Sequence, residues 1–150
     1  LIEIDTSTTI DMRDDYRGGV NVTETAANPE QPETLVYACS GASNLGQLTN
    51  EIAIRLDQNG LAEMSCAEAV GIEAGQPYAA ALSGRPVFAI SGCPLACADR
   101  LLTEHGVEIT HSVQLENRGV SKAKHVSVDL EESERIYVDV ARELGAVIES

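Results

Sequence analysis

From residue 34 onward the chain alternates between short apolar runs and stretches with helical spacing. "TLVYAC" (34–39) is apolar and short, which predicts a buried strand. After the turn "SGAS", apolar residues fall at Leu45, Leu48, Ile52 and Leu56. That spacing lines one face of a helix, and Asn59-Gly60 is a good stop for it. "LAEMSC" (61–66) predicts a second short strand. "AEAVGIEAGQPYAAALSG" reads as a turn followed by a helix of small residues ending at Gly84. "PVFAIS" (86–91) is apolar almost throughout, as a strand covered on both faces must be.

"PLACADRLLTEHG" predicts a helix with Pro94 in its first turn and Gly106 at its end. "VEITHSVQL" is the next strand, "ENRGVSKAKH" a loop and "VSVDL" a short extended piece. Asp129 can cap a last helix whose apolar stripe runs through Ile136, Val140 and Leu144. Strands alternating with helices predict a three-layer α/β fold around a mainly parallel, Rossmann-like sheet. Residues 1–33 differ: a weakly alternating start suits one edge strand, and a segment with Gly-Gly and Asn-Pro suits a linker. The expected organisation is therefore a lead-in over 1–33 and one α/β domain over 34–150.

Composition narrows the class. The core must be aliphatic, because there is one Phe and no Trp. Twenty-four acids stand against ten Lys and Arg, a net charge of −14. A surface of that sign repels phosphate backbones and anionic membranes, so neither nucleic acid nor membrane is an expected partner. Solubility in high salt is the expected benefit, as in a halophilic protein. No apolar run has the length of a membrane span and the first residues lack a secretory pattern, so a cytoplasmic location is expected.

The four cysteines change the picture most. Cys39 and Cys66 end the first two predicted strands; Cys93 follows the third, and Cys97 comes four residues later. Twenty-seven residues separate Cys39 from Cys66, and twenty-seven separate Cys66 from Cys93. Each interval is one strand-plus-helix unit. In a parallel sheet these positions share the carboxyl edge, where open α/β sheets bind ligands. Without a secretory context, metal or thiol chemistry is expected rather than disulfides. Cys93 and Cys97 form an i, i+4 pair, which is expected to share one helix face. A helix amino end also favours a thiolate, which makes Cys97 the candidate reactive thiol. Gly41 and Gly92 allow backbone to approach a bound group. The only lysines, Lys122 and Lys124, sit in one loop, so Lys122 is a candidate for contact with a thiolate-rich or anionic site. His105, His111 and His125 are isolated in sequence, and "GASNLGQ" lacks the ending of a nucleotide phosphate loop.

"CSGASNLGQLTNEIAIRL", "MSC" and "ISGCPLACADRLLTEHG", with the later "GVSK", resemble the DGC-domain family. That family is described as zinc-binding and is marked by four cysteines. The resemblance covers roughly residues 34–140 and implies that Cys39, Cys66, Cys93 and Cys97 hold a zinc ion. Two departures stand out: Ser91 replaces the Asp of Asp-Gly-Cys, and "CAEA" replaces Cys-Leu-Ala-Gly. An iron–sulfur cluster suits the same four donors. A thiol enzyme of redox, sulfur-transfer or metalloid type suits the same edge. Whether the protein is an enzyme, and whether it pairs with a protein partner or itself, stays open at this level.

Overall fold

The structure, a computed structural model, describes residues 32–149. The expected edge strand and most of the expected linker lie outside the described residues. In chain order the elements are β1 (Leu35–Ala38), α1 (Asn44–Gln58), β2 (Glu63–Met64), α2 (Ala67–Gly71) and α3 (Gly75–Ala81). β3 (Val87–Ser91), α4 (Cys97–Glu104) and β4 (His111–Gln114) follow, then a 3-10 turn (Leu115–Arg118) and α5 (Leu130–Glu149). The four strands form one sheet in the order β2-β1-β3-β4. Every pairing is parallel, with Val36 beside Met64 and Phe88, and Phe88 beside His111.

Strand geometry explains the layers. Alternate side chains point to opposite faces, and both faces of β1 and β3 are buried. Val36, Ala38, Phe88 and Ile90 pack with Leu45, Leu48, Ile52 and Leu56 of α1 and with Ile136, Val140 and Leu144 of α5. Leu35, Tyr37, Val87 and Ala89 pack on the other face with Val70, Ala81 and Leu102. Helices therefore cover the sheet on both sides, as the expected three-layer α/β architecture requires. Tyr37 is buried, and its hydroxyl donates to the Pro77 carbonyl at 3.2 Å. Burial pushes its pKa up, against opposing pulls from Ser65 and Arg85.

Helix ends follow local chemistry. The Ser43 hydroxyl accepts from the Gly46 N–H at 3.2 Å and starts α1. Asn59 closes it, donating from Nδ2 to the Arg55 carbonyl at 2.8 Å. Asp129 Oδ1 accepts from the Glu132 N–H at 2.8 Å, the cap expected for α5. Polar contacts tie β4 and the 3-10 turn to α5: His111 Nε2 of β4 lies 2.5 Å from Glu143, and Arg118 of the turn pairs with both Asp139 and Glu143. Burial raises the Glu143 carboxyl, but His111 and Arg118 outweigh it and hold the group below its ordinary range.

Four local expectations need correction. Helix α4 begins at Cys97, not at Pro94, because Ala96 takes the left-handed conformation (φ 47°, ψ 48°) and breaks the rhythm. Cys93 and Cys97 therefore do not share a helix face. The segment after Cys66 forms two short helices rather than a turn and one helix. β4 covers only His111–Gln114 of the predicted strand. "VSVDL" contains no strand, and the preceding loop opens with the 3-10 turn.

Candidate thiol site

Sheet order decides which cysteines can meet. Cys66 follows β2, Cys39 follows β1, and Cys93 follows β3. These strands are neighbours in the order β2-β1-β3, so the three positions lie side by side at the carboxyl edge with Cys39 in the middle. Cys97 stands at the start of α4, beyond Cys93. All four are free thiols; Cys66 and Cys97 are exposed, and Cys39 and Cys93 are half-buried.

Cys39 is the most firmly held. Its Sγ accepts from the Gly92 N–H at 3.2 Å, which ties the end of β1 to the turn after β3. The same sulfur lies 3.4 Å from the Thr49 hydroxyl oxygen, whose single proton is shared between the carbonyls of Cys39 (2.5 Å) and Gly46 (2.8 Å). Close packing makes this possible. A Cβ on Gly92 would stand 3.0 Å from Leu45 Cβ, and one on Gly46 would stand 2.9 Å from the Gly41 nitrogen. The tight approach at Gly92 thus serves α1, where the sequence suggested room for a bound group.

Cys66 and Cys93 have charged neighbours. The Cys66 thiol donates to Glu68 at 3.4 Å, and Ser40 donates to the same carboxylate at 3.3 Å. These groups line a hollow of about 300 Å³ with Asn50 and Met64. Across the edge, Lys122 Nζ donates to Cys93 Sγ at 3.4 Å. Asn44 fixes the loop that carries Lys122: its side chain bonds the Ser121 carbonyl (2.9 Å) and the Ala123 N–H (2.7 Å), and its own N–H donates to the Ala123 carbonyl (3.0 Å). Ser43 and Lys124 form a bridge beside it.

Below Cys93, the Ser91 and Ser112 hydroxyls both donate to Asp99, in the first turn of α4. A carboxylate therefore stands against residue 91 although residue 91 is not an Asp. A second hollow, about 420 Å³, lies at the opposite edge against Thr34, Phe88 and His111. It carries no thiol, so the cysteine edge is the better functional candidate despite its shallower shape.

Sulfurs bound to one zinc at about 2.3 Å stand about 4 Å apart. The strands bearing Cys66 and Cys93 are two inter-strand spacings apart, roughly 9–10 Å. Among the described residues, no three His, Cys, Asp or Glu side chains are gathered closely enough to hold a metal ion. The donor chemistry suits a thiophilic ion, but the arrangement is open, and ligation requires the outer cysteines to lean in over Cys39. Glu68, Thr49, Asn44 and Asp99 escaped the sequence reading. Glu68 had a signal, since it occupies the "CAEA" departure two residues after Cys66.

The fold and edge together define a class: an α/β domain with thiols at the carboxyl ends of three adjacent parallel strands. The DGC domain matches residues 35–140. The chain belongs to the DGC-domain family. The anaerobic and virulence modulator AnvM of Pseudomonas aeruginosa is 42% identical over 115 residues, covering 77% of this chain and 88% of that protein. No solved structure matches the chain.

Proposed function

We propose that this chain is a regulatory module that takes up a thiophilic metal ion, zinc first, through Cys39, Cys66, Cys93 and Cys97. The observation that carries the reading is the placement of Cys66, Cys39 and Cys93 at three adjacent strand ends around a firmly held Cys39, with Cys97 at the start of the next helix. Cys39 anchors the set, while the exposed Cys66 and Cys97 have room to swing. Bound there, the ion would supply a cross-link between the ends of β2, β1 and β3. A modulator role accords with the name of the related AnvM. The free thiols suit the reducing cytoplasm. The acid excess suits salt and a partner other than nucleic acid. Among the described residues, no helix is long and apolar enough to cross a membrane.

A second reading, a thiol-redox or sulfur-transfer protein, is favoured by the Lys122–Cys93 contact. That contact makes Cys93, rather than Cys97, its central thiol. One measurement separates the two readings and the iron–sulfur alternative. Protein purified with a reductant and without oxygen is analysed for metals, visible absorption and reactive thiols. About one zinc per chain, lost in Cys39→Ser, supports the proposal. Iron with sulfide and colour supports a cluster. Metal-free protein whose thiols all react rapidly sinks the metal reading and leaves the redox one.

A further inference from the structure

Lys122 is an unusual base in this chain. Among the described residues, the Lys or Arg ion pairs to carboxylates are made by Arg55, Arg85 and Arg118. Eight of the ten Lys and Arg residues are Arg. With 24 acids available, Lys122 instead directs its amine at a sulfur. Its place is built: Asn44 fastens the residues on both sides of it to the first turn of α1. Cys93 packs against the main core cluster and is half-buried. A flexible lysine is thus presented to a partly anchored thiol 3.4 Å away, at a solvent-facing edge.

An arginine would serve electrostatics there equally well. A guanidinium stays protonated and is a poor nucleophile, whereas a lysine amine can react through its nitrogen lone pair and be joined to sulfur through one oxygen atom. We propose that molecular oxygen joins Cys93 and Lys122 by an Sγ–O–Nζ bridge, and that this link is an oxidation switch at the thiol edge. The inference rests on the free thiols of the preceding reading and not on metal uptake.

The step balances. A thiol and an amine carry three hydrogens on Sγ and Nζ, as do a thiolate and an ammonium. One dioxygen accepts four electrons, two from sulfur and two from nitrogen. Its O–O bond breaks; one oxygen forms the Sγ–O and O–Nζ bonds. The other leaves as water with two of the three hydrogens, and one hydrogen stays on Nζ. Thiol reductants supply four electrons and reverse it. The link would pin the 121–124 loop to the turn after β3 and withdraw Cys93 from any metal.

The test uses the full chain, stripped of metal, reduced, and then exposed to air-saturated buffer. Intact mass is expected to rise by one oxygen less two hydrogens, and to revert with excess dithiol. Digestion should yield the Cys93 peptide joined to the Lys122 peptide. Lys122→Arg, an exposed-loop change that keeps the charge, should lose the link entirely. Gains of whole oxygens only, Cys93 joined to another cysteine, or the same mass change in Lys122→Arg would each overturn the inference. Zinc content is measured separately on the reduced parent protein. The metal reading therefore stands or falls on that figure, independently of the bridge.

Discussion

At the scale of single residues, the site depends on the absence of side chains as much as on the presence of thiols. Gly46 lies in the first turn of α1, where the chain leaving Cys39 passes over it. A Cβ there would meet backbone on both sides of the Ser40–Gly41 bond, at 3.1 Å from the Ser40 carbonyl carbon and 2.9 Å from the Gly41 nitrogen. Two effects of Gly46→Ala oppose each other. Alanine favours the helix by about 1 kcal/mol. Overpacking against rigid backbone costs about 1–3 kcal/mol. Backbone cannot swing aside as a flexible side chain can, so the clash should win. The variant should be about 1 kcal/mol less stable in urea denaturation, with Cys39 more reactive to a thiol reagent. A variant more stable than the parent would show that the close approach at Gly46 is not tight. The cysteines themselves were plain in the sequence, but this packing was not. It depends on a contact between a loop and a helix whose relative placement no spacing rule supplies.

At the scale of elements, the junction from β3 to α4 shows what periodicity reveals and what it hides. β1, α1, β3 and α5 were legible, because their apolar residues recur at periods of two or 3.6, or fill a run too short for a helix. The start of α4 was not. Pro94 imitates a first-turn proline, and the left-handed residue is Ala96, which carries no marker of that conformation as Gly or Asn would. Lys122 was legible as a partner for a thiolate-rich site, but which thiol it meets was hidden, because the contact with Cys93 spans 29 residues and depends on the Asn44 clamp. Asp99 holds this junction together, since it ties β3 through Ser91 and the β4 strand through Ser112. Ser91 is buried, so Asp99→Ala would leave its hydroxyl without that acceptor. A lost bond to a charged group costs about 1.5–3 kcal/mol, and a stranded buried hydroxyl sets the upper part of that range. Asp99→Ala should therefore lower stability by about 3 kcal/mol, and Ser112→Ala, at an exposed position, by about 1 kcal/mol or less. Equal losses in urea denaturation would mean that the buried Ser91 bond is not the dominant one.

At the scale of the whole molecule, charge is the property that packing leaves unbalanced. If every Lys and Arg were paired with an acid, fourteen acids would still have no partner among them. Salt acts on both groups, in opposite directions. It weakens ion pairs such as Arg55–Glu134, and each exposed pair contributes about 0–1 kcal/mol. It also screens the mutual repulsion of the remaining acids, which the compact state concentrates more than the unfolded chain does. The screening length falls from about 10 Å at 0.1 M to about 3 Å at 1 M, short enough to separate neighbouring surface charges. Repulsion is shared by all fourteen excess acids, whereas the ion pairs among the described residues are few, so relief should exceed loss. The urea midpoint at neutral pH should climb steadily as sodium chloride is raised toward 1 M. A chloride series is the right probe, because sulfate would strengthen apolar burial as well. A midpoint that falls with salt would show that the ion pairs outweigh the repulsion, and would remove the physical basis for reading the acid excess as adaptation to salt.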